Sequence, residues 1–265
     1  MTVRTTIEKA RAEGRAALIG YLPVGFPDVE TSVLAMRAMV AGGVDIVEVG
    51  LPYSDPLMDG PVIQRATEAA LAAGTRTGDV FTAVRGVVEA GAPALVMTYW
   101  NLVDRYGVDR FAADLAAAGG SGLITPDLIP DEAAQWQAAS DKHDLDRVYL
   151  VALTSTAQRL ELTANSSRGF VYAASLMGVT GERASVGAGA RDLVERVKAI
   201  TDVPVCVGLG VSNGVQAAEV AAFADGVIVG SAFVRALLDA PDRQSGLAAV
   251  EAIARDLATG VRSTP

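Results

Sequence analysis

The side chain that most directly suggests chemistry is Glu48, which lies in a short apolar run at residues 46–52. Successive side chains of a β-strand point to opposite faces, so Glu48 shares a face with Gly50, while Val47 and Val49 share the other. If the two valines pack on helices, the carboxyl group is buried, at a cost on the order of several kcal/mol unless it is paired or protonated. Burial also raises its pKa toward neutrality, which suits general acid–base catalysis. The alternative is a structural carboxylate bonded to Ser, Thr or Tyr; the position of Glu48 at a strand end favours catalysis.

The segment that follows, residues 51–61, is long for a loop between a strand and a helix and carries two further carboxyl groups, Asp55 and Asp59. Pro61 is well placed as the first residue of the next helix. One interpretation makes both aspartates turn residues that bond their own backbone. The other makes them part of a site together with Glu48.

Three glycine-rich segments, residues 178–181, 208–212 and 230–231, follow the last three candidate strands. Glycine lets backbone N–H groups approach an anion closely, and helix N-termini add positive potential. Tight turns also favour glycine, but three such segments converging on one point favour a phosphate site. The polar segment 180–190 predicts a mobile lid over that site, or alternatively an ordinary solvated loop.

The elements that must position these groups alternate along the whole chain, with short β-branched runs between Ala-rich helical stretches. Continuous apolar strands separated by helices indicate a parallel sheet covered on both faces. Eight such units predict a single α/β domain, a (β/α)8 TIM barrel over residues 1–265, with the active site at the carboxyl ends of its strands. The candidate strands are Ala17–Leu22, Asp45–Val49, Ala94–Tyr99, Gly122–Thr125, Val148–Val151, Phe170–Ala174, Pro204–Gly208 and Gly226–Val229.

Two helices are predicted beyond the eight of such a barrel. Thr5 and Glu8 have the spacing of a capping box and predict an extra helix before the first strand. The helical stretches Pro61–Ala73 and Gly78–Ala90 both lie between the second and third strands, so one of them is extra.

Composition excludes several classes of protein. The 265 residues carry a net charge of −9, which argues against nucleic-acid and anionic-membrane surfaces. Charged residues at Arg4, Glu8 and Lys9 occupy the place of the apolar core of a secretory signal, and no apolar run approaches the roughly 18 residues of a membrane span. The single cysteine, Cys206, cannot form an internal disulfide, so a reducing cytoplasm fits.

The inventory of reactive side chains is equally restrictive. The only histidine, His143, precedes the fifth strand and is expected to be a solvated surface residue, which disfavours a Ser-His-Asp system and a histidine-rich metal site. The three lysines, Lys9, Lys142 and Lys198, all lie away from strand ends, so an imine-forming lysine is not expected. No glycine fingerprint of a dinucleotide site follows the first strand.

Carboxylate acid–base chemistry on a phosphorylated small molecule, without metal or cofactor, is what remains. Apolar side chains near the strand ends predict a pocket for a flat aromatic body. These are Tyr21, Met97, Ile124 and Leu209.

Six segments together resemble the tryptophan synthase alpha subunit family, and the match is collinear from about residue 4 to the end of the chain. The first segment is specific, whereas the glycine-rich segments alone would fit many phosphate-binding barrels. The segments are Glu48–Gln64, Met97–Asn101, Pro126–Pro130, Gly178–Gly181, Gly208–Ser212 and Val229–Ser231.

The resemblance implies a lyase of tryptophan biosynthesis that splits indole-3-glycerol phosphate into indole and D-glyceraldehyde 3-phosphate by a retro-aldol cleavage. In that family the glutamate matching Glu48 moves the proton that converts the indole ring to its indolenine tautomer. The aspartate matching Asp59 holds the indole N–H, and the tyrosine matching Tyr172 lines the site. The indolenine is itself the electron sink, so the resemblance implies no cofactor in this chain.

A phosphate site and a lid are also implied. Thr180 would close over the site beside Asp59. This sequence departs from the family's usual residues at Tyr21, where phenylalanine is common, and at Leu209, where an aromatic residue is frequent. The N–H groups expected to bind phosphate are those around Gly181, Gly210, Gly230 and Ser231.

The family's partner is a beta subunit that uses pyridoxal phosphate (PLP) and receives indole through a tunnel in an allosteric alpha2beta2 complex. PLP is therefore expected in the partner only. Pro52 and Asp55, with Asn101 nearby, correspond to the surface that meets this subunit.

Three alternatives remain open. The chain could be a stand-alone indole-releasing lyase without a partner, or a catalytically silent barrel that acts only as an allosteric partner. The joint presence of Glu48, Asp59 and Tyr172 argues against the silent barrel. The third is another phosphate-binding barrel enzyme such as indole-3-glycerol phosphate synthase, which uses a strand lysine that this chain lacks.

Overall fold

The computed structural model describes residues 2–174, 188–208 and 210–263. Within these ranges nine strands form one sheet in which every pairing is parallel, in the order β5-β4-β3-β2-β1-β9-β8-β7-β6. The strands are β1 (Ala17–Pro23), β2 (Ile46–Gly50), β3 (Ala94–Met97), β4 (Gly122–Ile124), β5 (Asp146–Val148), β6 (Leu150–Ala152), β7 (Val171–Ala174), β8 (Val205–Gly208) and β9 (Gly226–Val229).

The two ends of this strand order, β5 and β6, are consecutive in the chain and are separated only by Tyr149. The sheet therefore curls into a nearly closed barrel, and the predicted (β/α)8 architecture is confirmed. The predicted fifth strand, Val148–Val151, is one segment divided into two pieces. Its first piece begins at Asp146, two residues earlier than predicted. The apolar pattern does not show this start, because Asp146 and Arg147 are charged.

Twelve helices surround the barrel within the described ranges. The extra N-terminal helix and the extra helix between β2 and β3 are both confirmed. One of the two helices after β3 adds a third, and one of the two after β9 adds a fourth. The helices are α1 (Val3–Ala12), α2 (Val29–Ala41), α3 (Pro61–Ala72), α4 (Asp79–Glu89), α5 (Trp100–Tyr106), α6 (Val108–Ala117), α7 (Ala134–Lys142), α8 (Ala157–Ser166), α9 (Ala188–Lys198), α10 (Gly214–Ala221), α11 (Ser231–Leu238) and α12 (Arg243–Arg262), with a 3-10 turn at Pro130–Glu132. In these ranges no helix combines the length and apolarity needed to cross a membrane.

The cap of α1 differs from the predicted one. Thr2, rather than Thr5, is the N-cap, and the side chains and backbones of Thr2 and Thr5 bond reciprocally. Glu8 instead pairs with Arg4 on the helix surface at 2.8 Å. The helix therefore begins one turn earlier than the Thr5 and Glu8 spacing indicates.

Two apolar clusters divide the interior, and they follow the alternation of the strands. Val47 and Val49 of β2 pack into the cluster between sheet and helices, while Ile46 packs into the cluster inside the barrel. Val3 and Ile7 of α1 also belong to the inner cluster, so the extra N-terminal helix supplies apolar side chains to the barrel interior. The predicted inward direction of Glu48 follows from the same alternation.

We predict that Gly260→Ala destabilises the fold by about 1–3 kcal/mol, the usual cost of overpacking a close contact. Gly260 of α12 meets the backbone of α10, and a Cβ atom there would lie 2.0 Å from the carbonyl oxygen of Gly214. A backbone atom cannot rotate away, so the two helices must separate. Thermal unfolding of the variant and the wild type measures the loss.

Gly78→Ala is the matched control, because a Cβ atom at Gly78 would meet no atom within 4 Å and its φ of −63° suits any residue. We expect its free energy of unfolding to stay within about 0.5 kcal/mol of the wild-type value. Equal effects of the two substitutions would contradict the α10–α12 contact.

Candidate active site

A pocket opens at the carboxyl ends of the strands, where the sequence predicts the site. Eight of the predicted site residues line it together. They come from β1, β2, β3 and β7, the loop after β2, and the loops after β8 and β9. These residues are Tyr21, Glu48, Asp59, Met97, Tyr172, Gly210, Gly230 and Ser231.

Glu48 lies on β2 and is 1% exposed. Among the described residues, neither of its carboxylate oxygens has a hydrogen-bond partner. Burial raises the pKa of Glu48 from its ordinary 4.5 to about 8. The hydrogen bonds that a structural carboxylate would need are thus not provided by the described residues. A carboxyl group in this state is protonated at neutral pH and can donate that proton to a bound molecule.

Asp59 lies at the end of the loop after β2, directly before Gly60, which is the N-cap of α3. No side chain caps this helix, so Asp59 is not simply a helix cap. Burial raises the pKa of Asp59, and a hydrogen bond from the Tyr99 hydroxyl lowers it in part. The Tyr99 hydroxyl donates to Asp59 Oδ1 at 3.1 Å, and the Gln64 side chain donates to the Asp59 carbonyl at 2.8 Å.

Two tyrosine side chains, Tyr21 and Tyr172, enter the same pocket, and glycine makes room for each hydroxyl. A Cβ atom at Gly50 would lie 2.4 Å from Tyr21 Oη, and one at Gly208 would lie 2.4 Å from Tyr172 Oη. Burial raises the pKa of both tyrosines, and the charge of Glu48 adds to this for Tyr172. Both hydroxyls therefore remain neutral donors at physiological pH.

One part of the pocket wall has the predicted features of an anion site. Gly210 adopts a φ of +71°, a left-handed conformation that glycine adopts without strain. Gly230 is the N-cap of α11, and Ser231 is the first residue of that helix. The first N–H groups of a helix have no partner within the helix, so these donors and the positive end of the helix dipole lie at the pocket wall. The predicted residues Thr180, Gly181 and Leu209 lie outside the described residues.

One of the residues predicted to contact an aromatic ring is placed elsewhere. Ile124, at the end of β4, is fully buried in the inner core cluster and does not line the pocket. The alternation of β4 correctly indicates its inward face, but its side chain is covered by the inner cluster although its strand neighbour Met97 lines the pocket. Apolar surface comes instead from the loop after β2 and from α3, through Leu51, Met58 and Ile63.

Tyr99 is a pocket residue that sequence reasoning missed. It is the N-cap residue of α5, two residues after the end of β3, and its hydroxyl accepts hydrogen bonds from the backbone N–H groups of Leu57 and Met58, each at 3.1 Å. The sequence could have indicated Tyr99, since it lies in segment 97–101, which is one of those that resemble the family. The bond to Asp59 joins residues 40 positions apart and could not be read from local spacing.

The residues predicted to meet a partner are only partly at the surface. Asp55 and Asn101 are exposed, whereas Pro52 is buried. Pro52 lies two residues after the last residue of β2, at the start of the long loop, and exposed residues begin only at Ser54. Leu57 of the same loop is 72% exposed, a large apolar side chain directed at solvent.

Other reactive groups lie away from the pocket. His143 follows α7 and is half-buried, with Nε2 buried and without a partner among the described residues, so the expectation of a solvated histidine is wrong. Lys198 bonds Asp225 at 2.9 Å and the Phe223 carbonyl at 3.0 Å. Within the ranges that the structure covers, no three His, Cys, Asp or Glu side chains come together as a metal site would need.

A family profile described as "Tryptophan synthase alpha chain" matches residues 7–262. The chain belongs to the tryptophan synthase alpha chain family. Among its relatives, the tryptophan synthase alpha chain of Thermobifida fusca is 62% identical over 99% of both chains. That of Mycobacterium marinum is 64% identical over 96% of this chain and 93% of its own length.

Solved structures of tryptophan synthase have the same fold. A chain of the Mycobacterium tuberculosis enzyme superimposes with a TM-score of 0.93 at 60% identity, covering 98% of both chains. The tryptophan synthase alpha subunit of Legionella pneumophila superimposes with a TM-score of 0.89 at only 34% identity, again covering 98% of both. The barrel is thus retained across wide sequence divergence.

We predict that burial of Glu48 makes the fold less stable as pH rises. Between pH 4.5 and about 8 the folded protein holds a proton that the unfolded chain releases, so the free energy of unfolding falls through this window. A Glu48→Gln variant lacks this proton and should lose less stability over the same range. The difference is on the order of a few kcal/mol at pH 8.

Urea unfolding of both proteins at pH 5, 6, 7 and 8 measures this difference. Absolute stabilities do not matter, because each protein is compared with itself at pH 5. Parallel curves across the window would mean that Glu48 is ionised in the folded chain.

Proposed function

We propose that this chain is the alpha subunit of tryptophan synthase and cleaves indole-3-glycerol phosphate into indole and D-glyceraldehyde 3-phosphate. The observation that carries the proposal is the buried carboxyl of Glu48, which has no hydrogen-bond partner among the described residues and whose pKa of about 8 keeps it protonated at neutral pH. It faces a pocket that also holds Asp59 and a helix N-terminus.

In the first step Glu48 donates its proton to the indole ring carbon that bears the glycerol side chain. The ring then carries positive charge at its nitrogen, and the Asp59 carboxylate accepts the ring N–H and stabilises that charge. The pocket around the ring is apolar, with Met97 and the Tyr21 ring among its walls, and this strengthens the interaction.

In the second step the Glu48 carboxylate removes the proton of the hydroxyl on the carbon attached to the ring. That carbon becomes the aldehyde carbonyl, and the bond to the ring breaks. Its electron pair enters the ring and neutralises the nitrogen, which gives indole and returns Glu48 to its protonated form. The substrate's own ring accepts the electrons, so we propose that this chain needs no metal, cofactor or imine-forming lysine.

The phosphate of the substrate is proposed to bind at the pocket end formed by Gly210, Gly230 and Ser231, where backbone N–H groups are free to donate. Gly181 is proposed to add a further N–H group, and Thr180 to close over the site. Anion binding by backbone groups explains how a protein with a net charge of −9 can hold phosphate without a lysine in the pocket.

Tyr172 is proposed to line the reacting end beside Glu48, as a neutral hydroxyl that can bond the glycerol portion of the substrate. Leu209 is proposed to complete the wall of the ring pocket. The charge of Glu48 raises the pKa of Tyr172, which supports their proximity.

A PLP-dependent beta subunit is the proposed partner, in an alpha2beta2 complex that transfers indole between sites. The residues proposed to meet it are the exposed Asp55, Leu57 and Asn101, together with Pro52, which is buried in the chain alone. PLP is assigned to the partner alone. We also propose that residues 1–265 fold as one domain and that the protein acts in the cytoplasm.

We predict that Glu48→Gln and Asp59→Asn each lower kcat for indole release by about 100-fold or more, the scale of lost acid–base catalysis. Indole release from indole-3-glycerol phosphate is measured for the purified chain, alone and with a tryptophan synthase beta subunit. A folded variant that keeps near-normal turnover would remove the role assigned to that residue.

The same assay separates the alternatives. Slow release that rises sharply with the beta subunit supports the proposed complex, and fast release that ignores the beta subunit supports a stand-alone lyase. Activation of the beta subunit by a folded chain that releases no indole supports the silent allosteric barrel.

We further predict that inorganic phosphate stabilises the fold, because a ligand of the native state shifts unfolding by mass action. At ten times its Kd the gain is about 1.4 kcal/mol. Thermal unfolding is compared in phosphate and in chloride of the same ionic strength. An unchanged melting temperature at tens of millimolar phosphate would argue against the anion site.

A further inference from the structure

The hydroxyl oxygen of Tyr99 takes part in three hydrogen bonds at once. It accepts from the backbone N–H groups of Leu57 and Met58, each at 3.1 Å, and lies 3.1 Å from Asp59 Oδ1. These contacts join the end of β3 to three consecutive residues of the loop after β2. These bonds fix the position of the loop backbone and the orientation of the Asp59 carboxylate relative to Tyr99.

The bonding capacity of a tyrosine hydroxyl decides the direction of each bond. The oxygen has two acceptor lone pairs and one hydrogen. Because the two N–H groups occupy the lone pairs, the hydrogen is directed at Asp59. Burial and the charge of Asp59 both raise the pKa of Tyr99, so the hydroxyl keeps its hydrogen at physiological pH.

The two carboxyl groups of the pocket are treated differently by this arrangement. Glu48 is buried and Asp59 is half-buried. Asp59 receives a hydroxyl donor, whereas Glu48 receives no donor from the described residues. A hydrogen bond to the charged form favours that form. The hydrogen bond thereby favours the anionic form of Asp59, while Glu48 stays protonated and is left as the acid.

We propose that Tyr99 is a positioning residue that acts through Asp59: its hydroxyl holds the aspartate as an oriented anion facing the pocket. The inference rests on the proposed reaction, in which Asp59 stabilises charge at the ring nitrogen. Tyr99 contacts no reacting atom in this role. The Tyr99 ring packs on the Tyr53 ring at 5.2 Å between centroids. The ring forms part of the pocket wall, whereas only the hydroxyl acts on the charge of Asp59.

Tyr99→Phe is the test, because it keeps the ring and removes only the hydroxyl. We expect kcat for indole release to fall about ten-fold or more, with a smaller change in KM, as for the loss of a hydrogen bond to a charged group. The acid limb of the pH profile should move to higher pH. Without the hydroxyl, no hydrogen bond from residue 99 offsets the effect of burial, so the pKa of Asp59 is higher. The required Asp59 anion is then lost at a higher pH.

Tyr106→Phe is the matched control. The Tyr106 hydroxyl also bonds a carboxylate, Asp114, at 2.6 Å, but it lies on α5 and does not line the pocket. We expect the control to lose a tyrosine–aspartate bond of the same kind without a change in the pH profile. An equal shift in both variants would overturn the inference.

A double-mutant cycle with Asp59→Ala shows whether the hydroxyl works through the aspartate. If it does, adding Tyr99→Phe to Asp59→Ala costs little further in kcat, so the two losses are far from additive. Additive losses would mean that Tyr99 acts independently of Asp59 and would overturn the inference.

Carbon-13 NMR titration of the Asp59 carboxyl separates this inference from the proposed reaction, since it requires no turnover. In folded Tyr99→Phe protein we expect Asp59 to titrate at higher pH than in the wild type. An unchanged titration overturns the inference. If the titration moves but wild-type protein releases no indole, the link from Tyr99 to Asp59 stands and the proposed reaction fails.

Discussion

A buried carboxyl group without a hydrogen-bond partner among the described residues is the constraint on which the rest of the site depends. Removing the Glu48 carboxyl from water would cost several kcal/mol if it stayed charged, and a proton offsets this cost. The apolar interior of the barrel therefore does more than stabilise the fold, because it produces the acid. The alternation of β2 places Val47 and Val49 against the helices and leaves Glu48 inside.

Around this acid the pocket is built from backbone as much as from side chains. Gly50 and Gly208 lack the Cβ atoms that would collide with two tyrosine hydroxyls, and the N-terminus of α11 lies in the pocket wall. The loop after β2 forms one wall of the pocket, and two of its backbone N–H groups donate hydrogen bonds to the Tyr99 hydroxyl. The proposed acid, the proposed anion and the proposed phosphate site thus share one cavity while differing in local environment, which would let similar carboxyl groups perform different tasks.

Most of the fold and the carboxylate character of the site could be predicted from local pattern, whereas the particular reaction followed from the resemblance to the family. Apolar runs identify strands covered on both faces, and a carboxyl at a strand end is unusual enough to indicate function. What failed depends on three-dimensional placement. Alternation gives the inward face of Ile124 but not that neighbouring side chains cover it completely, and loop position does not reveal that Pro52 is buried. The bond from Tyr99 to Asp59 joins two segments separated by a helical pair and has no local signature.

The most direct test of the account is the ionisation of Glu48 in the full, folded chain. Carbon-13 NMR of protein labelled at glutamate carboxyls, titrated from pH 4 to 10 and assigned with Glu48→Gln, measures it without substrate or partner. The account predicts one glutamate that titrates near pH 8 and is absent from the variant. Titration of Glu48 near its ordinary value of 4.5 would contradict the account, because the pocket would then hold two anions and no acid.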